Sequence, residues 1–69
     1  MYLNAKSERK RSGKTLKAVA DEMFISPQAL SLKLNGKRLV TVDEARRFKK
    51  IIGSDMPLEI LFKEFEEGS

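Results

Sequence analysis

Glycines and prolines in this chain stand where a helical pattern of apolar residues starts or stops. Gly13, Pro27, Gly36, Gly53 and Pro57 mark the breaks. Between them the apolar residues recur at i, i+3 and i+4 and do not alternate. The expected fold is therefore all-α: a compact bundle of four or five short helices. A chain of 69 residues is expected to form one domain, 1–69. A domain of that size hides only about 60% of the surface its unfolded chain exposes. Its core is thin, and a second copy would add to it, which favours a homodimer.

The sharpest punctuation lies in residues 15–36. Thr15 stands at an N-cap position, and Leu16, Val19, Ala20 and Met23 form one apolar stripe over 16–23. Ser26 is a second N-cap, and Pro27 fits a first helical position, where its missing N–H costs nothing. That helix is expected to run to about Asn35, with Gly36 as its left-handed stop. Only Phe24, Ile25 and Ser26 separate the two helices, a link that suits a helix-turn-helix. Thr41 and Glu44 make a capping box for a fourth helix with Ala45, Phe48 and Ile52 inside; Val40 and Ala45 are the expected staple. A fifth helix is expected from near Pro57, with Leu58, Leu61, Phe62 and Phe65 as its stripe and Ile60 off it. Residues 1–12 read as either a short helix or a mobile basic arm. Tyr2, Leu3 and Ala5 are apolar there, and a polar run from Lys6 to Arg11 follows.

Charge is unevenly spread. Residues 1–50 hold 13 Lys/Arg against 5 Asp/Glu, a balance of +8, and residues 51–69 hold one against 5, or −4, for a net of +4. One face suited to a polyanion is the functional reading, and solubilising charge the plain one. Histidine and cysteine are both absent. That removes the commonest general base, the usual zinc ligands and disulfides, so neither an enzyme nor a metal or cofactor site is expected. Asp21-Glu22 and Glu66-Glu67 read as exposed helix charges, since sequence neighbours do not face one site. The apolar runs are far too short for a membrane span, and residues 1–14 lack the apolar stretch of a secretory signal. A soluble cytoplasmic protein is the expectation.

On the third helix Leu30 and Leu34 mark the inward side, so Gln28 and Leu32 point away from it, with Ala29, Ser31 and Asn35 alongside. This face carries no charge. Gln28, Ala29, Ser31 and Leu32 are candidate base readers: an amide can grip adenine at two points, a hydroxyl serves either partner, and apolar groups meet the thymine methyl. A Leu32 packed on a neighbouring helix is the alternative. Lys33 lies towards the inward side and must reach out along its stem. Around this surface stand Arg9, Arg11, Lys14, Lys17, Asn35, Lys37 and Arg38, the candidate phosphate contacts. Arg46, Arg47, Lys49 and Lys50 read mostly as a solvated face.

With those residues placed, GKTLKAVADEMFISPQALSLKLNGK (residues 13–37) resembles the phage repressor-like helix-turn-helix family, the Cro and repressor (XRE) type. The likeness rests on Gly13, Thr15, Val19-Ala20, Ile25-Ser26, Leu30 and Asn35-Gly36-Lys37, and extends to Leu58–Phe62. It implies a lambda-repressor-like fold, operator DNA as partner, a homodimer and a phage or mobile-element setting. It also implies that Gln28 reads a base and that Lys37 and Arg38 touch phosphate. The chain departs from the pattern at four places. Phe24 stands where the family's turn has Gly, so either Phe24 adopts a left-handed backbone or the turn differs. Leu16 replaces a polar residue and must be buried, with the first helix as the expected cover. Glu8 replaces an apolar residue of the first helix. The link at Ser54-Asp55 is about two residues longer.

Two functions follow as expectations. The first is a sequence-specific DNA-binding transcriptional regulator that reads the major groove with residues 27–35. The second is a protein-binding module, such as an anti-repressor that complexes a larger repressor, for which Phe24, Leu32 and Ile60 supply apolar surface. Ile60, Lys63 and Glu64 are the expected dimer interface.

Overall fold

The local start and stop signals become helix ends. The computed structural model describes residues 1–65 and holds five α-helices: α1 Leu3–Ser12, α2 Leu16–Glu22, α3 Pro27–Leu34, α4 Val42–Ile52 and α5 Leu58–Leu61. No strand occurs among the described residues, and no helix there is long and apolar enough to cross a membrane.

The middle three helices are built alike. The hydroxyls of Thr15, Ser26 and Thr41 accept the N–H groups of Ala18, Ala29 and Glu44, each at 3.1 Å. The Glu44 carboxylate accepts the Thr41 N–H at 3.0 Å, which completes the capping box on α4. At the end of α3, Gly36 sits at φ +76°, its N–H donating to the Lys33 carbonyl and the Lys37 N–H donating to that of Leu32. These two bonds form a Schellman closure and cover carbonyls that the helix leaves open.

α1 is a helix and not an arm. No glycine, proline or β-branched residue interrupts it, and Arg9, Lys10 and Arg11 fall in its last turn, where the helix dipole favours cations. Only Ala5 of this helix is buried. Glu8 is half-buried and held by the Ser54 hydroxyl, which donates to its carboxylate at 2.6 Å. The longer link after α4 thus supplies the donor that a polar residue on the inner side of α1 requires.

Val19, Ala20, Met23, Leu30, Leu34, Phe48, Ile52 and Leu61 join Ala5 in one core, with Leu16 and Ile25 packed against it. Leu16, expected to be buried, is only half-buried, packed on the core at the start of α2. Phe48 and Phe62 meet edge-on at 5.5 Å between ring centroids, and Phe62 meets Tyr2 at 5.3 Å. α2 packs on α3 and α4, and α1 crosses α3, α4 and α5.

The expected fifth helix is too long. α5 makes one turn and ends before Phe62. Phe65 does not extend its stripe: its N–H donates to the Met1 carbonyl at 2.8 Å, and the Met1 ammonium donates to the Phe65 carbonyl at 2.6 Å. The Tyr2 N–H donates to the Leu34 carbonyl at 2.8 Å. Both ends of the described chain therefore meet beside the C-terminal end of α3, a long-range pairing that a local apolar pattern does not encode.

Candidate nucleic-acid interface

The turn between α2 and α3 is tight because Met23, Phe24 and Ile25 all return their N–H groups to α2. Ile25 donates to the Ala20 carbonyl at 3.0 Å and Phe24 to that of Asp21 at 3.1 Å. Such a reversal needs a left-handed residue, and Phe24 takes that conformation at φ +59°. It is the one non-glycine residue with positive φ among those described. An ordinary side chain there costs about 1–2 kcal/mol. The ring is 88% exposed, so packing offsets little of this. Of the two possibilities at this position, the left-handed backbone is the one found.

α3 then presents an uncharged outer face. Gln28 is exposed, Leu32 is 36% exposed, and Ala29 and Ser31 are half-buried beside them. Leu32 is thus not taken into the core. The nearest cation is folded away. The Lys33 stem lies along the core side, and its ammonium donates to the Leu39 carbonyl at 3.0 Å and pairs with the Glu44 carboxylate at 3.0 Å. The N–H of Thr41 first, and then Lys33, hold the Glu44 carboxyl below the usual carboxylate range against the opposing effect of burial.

The candidate phosphate contacts divide by their partners. Lys37 and Arg38 follow the α3 closure, both exposed, and neither has a carboxylate within pairing distance among the described residues. Lys14 pairs with Glu22 at 2.8 Å and Lys17 with Asp21 at 3.1 Å. These are surface pairs worth little, open to exchange for a phosphate. They also occupy the Asp21 and Glu22 carboxylates, while Glu66 and Glu67 lie outside the described residues. Arg9 donates from its guanidinium to the Lys14 carbonyl at 2.8 Å. Arg11 turns the other way, 3.7 Å from Glu8 and towards Ser54, so the structure separates it from the rest.

Sequence reasoning missed the way α1 meets α3. Lys6, Arg9 and Lys10 line a cleft of about 210 Å³ with Leu16, Ser31, Leu34 and Asn35. In it the Lys6 ammonium donates to Asn35 Oδ1, and Asn35 Nδ2 reaches Ser31 Oγ at 3.4 Å. The Asn35 carbonyl oxygen is therefore engaged within the protein, and its amide, with one N–H turned to Ser31, keeps the other for an outside acceptor. Lys6 and Asn35 are 29 apart in sequence, and no local pattern links them.

The remaining candidates lie elsewhere. Arg46, Arg47 and Lys50 are exposed on α4, whose inner side packs on α2 and α5. Ile60 is 45% exposed on α5, while Lys63 and Glu64 follow the helix and are not on it. Burial and the neighbouring Glu64 carboxylate raise the Tyr2 hydroxyl above its ordinary pKa. No family model, curated protein or solved structure matches this chain.

Proposed function

We propose that the chain is a sequence-specific DNA-binding transcriptional regulator, with α2, the turn and α3 acting as a helix-turn-helix and α3 entering the major groove. One observation carries the reading. The outer face of α3 is uncharged, and two exposed cations, Lys37 and Arg38, which have no carboxylate partner among the described residues, follow it directly. A merely solvated helix face has no need to exclude charge, whereas base edges are read by amides, hydroxyls and methyl groups inside a frame of phosphate-binding cations. Gln28, Ala29, Ser31 and Leu32 are the readers in this proposal. Lys37, Arg38, Arg9, Lys14 and Lys17 hold the backbone. The likeness of residues 13–37 to the Cro and repressor type supports the same reading, and with it a homodimer through α5 and Ile60 in the cytoplasm of a bacterial cell. No catalytic role is assigned to any residue.

A second reading, a protein-binding module that masks a larger repressor, is favoured by Phe24 and Leu39, which are 88% and 82% exposed. A chain that only binds DNA does not require such apolar surface. Binding to a pool of random duplexes across a salt series separates the two. The DNA-reading proposal expects affinity to fall steeply with salt and a motif to emerge from the tightest binders. Absence of binding even at low salt would overturn it in favour of the masking role.

A further inference from the structure

We infer that Lys6, which lies outside the reading helix, sets the base preference of Ser31 through Asn35, and that Ser31 consequently addresses a base edge carrying a hydrogen-bond acceptor. The inference rests on the DNA-reading proposal above and deepens it.

The argument runs along three side chains. The Lys6 ammonium has donors only, so the atom of Asn35 facing it must be the carbonyl oxygen, Oδ1. A flipped amide would set its NH2 group against a cation. Lys6 thereby fixes which way Asn35 points, and the NH2 group is turned along α3 towards Ser31 Oγ, 3.4 Å away. One turn of helix separates the two residues, the spacing at which side chains meet. The contact is long, but the ammonium polarises the amide that makes it, and a chain of such bonds strengthens its members. A hydroxyl has one hydrogen and two lone pairs. With the amide donating to its oxygen, the Ser31 hydroxyl keeps its hydrogen for something else, and no acceptor for it is found among the described residues. Ser31 is half-buried beside exposed Gln28, on the edge of the uncharged face.

The consequence is a directional reader. A free serine hydroxyl accepts or donates as required and reads no base in particular. Ser31, held as a donor, can meet guanine O6 or N7, thymine O4 or adenine N7, and disfavours cytosine, whose only polar group on that edge is an amino donor. Lys6 is a positioning residue in this scheme. It touches no base and acts through the amide it orients.

Replacing the amide by a carboxylate reverses the arrangement without altering its shape. In Asn35→Asp both oxygens accept, one from Lys6 and one from the Ser31 hydroxyl. The serine then offers only lone pairs outwards, which suits the amino groups of adenine or cytosine.

The test uses the full chain. Ser31→Ala first identifies, by selection from random duplexes, the base pair whose preference it flattens. Four duplexes differing only at that pair are then titrated with the unaltered chain, Asn35→Asp and Asn35→Asp/Ser31→Ala, each checked for cooperative melting. The unaltered chain is expected to disfavour cytosine there by about fivefold against the other three bases. Asn35→Asp is expected to prefer adenine or cytosine, and the double variant to show no preference. The added carboxylate weakens binding to all four duplexes alike, so the ratio among them is what is read. If Asn35→Asp fails to fold, Lys6→Met, which keeps the stem but frees the amide, is expected to flatten the preference. An Asn35→Asp or Lys6→Met variant that keeps the original order of the four duplexes overturns the inference. So does a Ser31→Ala variant that flattens no position, while the DNA-reading proposal stands on Gln28. A selection that yields no motif for the unaltered chain overturns both.

Discussion

α3 and α4 are constructed by the same rules and finished differently. Each is capped by a hydroxyl side chain, closed by a left-handed glycine and anchored inside by buried residues, Leu30 and Leu34 in one and Ala45, Phe48 and Ile52 in the other. Outside, α4 carries Asp43, Arg46, Arg47 and Lys50, whereas α3 carries Gln28 and Leu32. Folding asks the same of both inner faces and little of either outer face. Under the proposed function, the difference outside reflects what each helix would meet: water for α4, the patterned edges of bases for α3.

If the two helices share one kind of interior, losing an anchor from either should cost alike and should be the largest effect of any. Phe48→Ala is expected to lose about 3–5 kcal/mol of folding stability and Leu30→Ala about 2–5 kcal/mol, measured by urea denaturation. A marginal domain of this size would be largely unfolded by the first. If either proved near neutral, the helix concerned would not be held as described. The outer faces should part company. Gln28→Ala is expected to cost about 1–3 kcal/mol of discrimination at one base pair while leaving the melting temperature unchanged. The matching change on α4, Arg46→Ala, should leave sequence preference as it was. A shift of preference by Arg46→Ala would erase the contrast.

The start of α4 offers a smaller test with a pH signature. Glu44→Ala removes both the box and the Lys33 partner, for an expected loss of about 1 kcal/mol at neutral pH. The Glu44 carboxyl titrates lower in the folded chain than in the unfolded one. Its stabilisation is therefore fully present above the unfolded pKa and is lost as pH falls through the folded value. The stability gap between Glu44→Ala and the unaltered chain should close over that acidic window and stay constant above it. A gap independent of pH would assign the effect to packing alone. The smallest change is Phe24→Gly. It removes the cost of a left-handed phenylalanine but loosens the unfolded chain, leaving a net gain of up to about 1 kcal/mol. DNA affinity should be unaffected if α3 is not re-aimed, and loss of a protein partner on the same substitution would favour the masking role.

How much of this was visible in the linear chain follows from range. α2, α3 and α4 were legible nearly to the residue because Thr15, Ser26-Pro27, Gly36 and Thr41-Glu44 act on atoms within four positions of themselves. α1 was not, because Ala5 is its one buried residue and Glu8, on the inner side, is satisfied only by Ser54 from across the bundle. The overlong α5 has the same cause. Leu58, Leu61, Phe62 and Phe65 keep helical spacing, but Phe65 belongs to Met1. At the candidate site the uncharged face of α3 could be read from spacing, whereas the Lys6–Asn35 contact, the folding away of Lys33 onto Leu39 and the turning aside of Arg11 needed three dimensions.

The meeting of Met1 with Phe65 also has a place in time. It closes a span of 64 residues. The entropy of bringing such distant points together is about 4 kcal/mol, as (3/2)RT ln n. Two backbone hydrogen bonds at about 1 kcal/mol apiece do not offset that unaided. The contact forms only after the helices have already carried its two sides within reach, so it is among the last events of folding and the first to be undone. When it opens, Tyr2 is released next to the Leu34 carbonyl, and the C-terminal end of α3 becomes the part of that helix most accessible to deuterium.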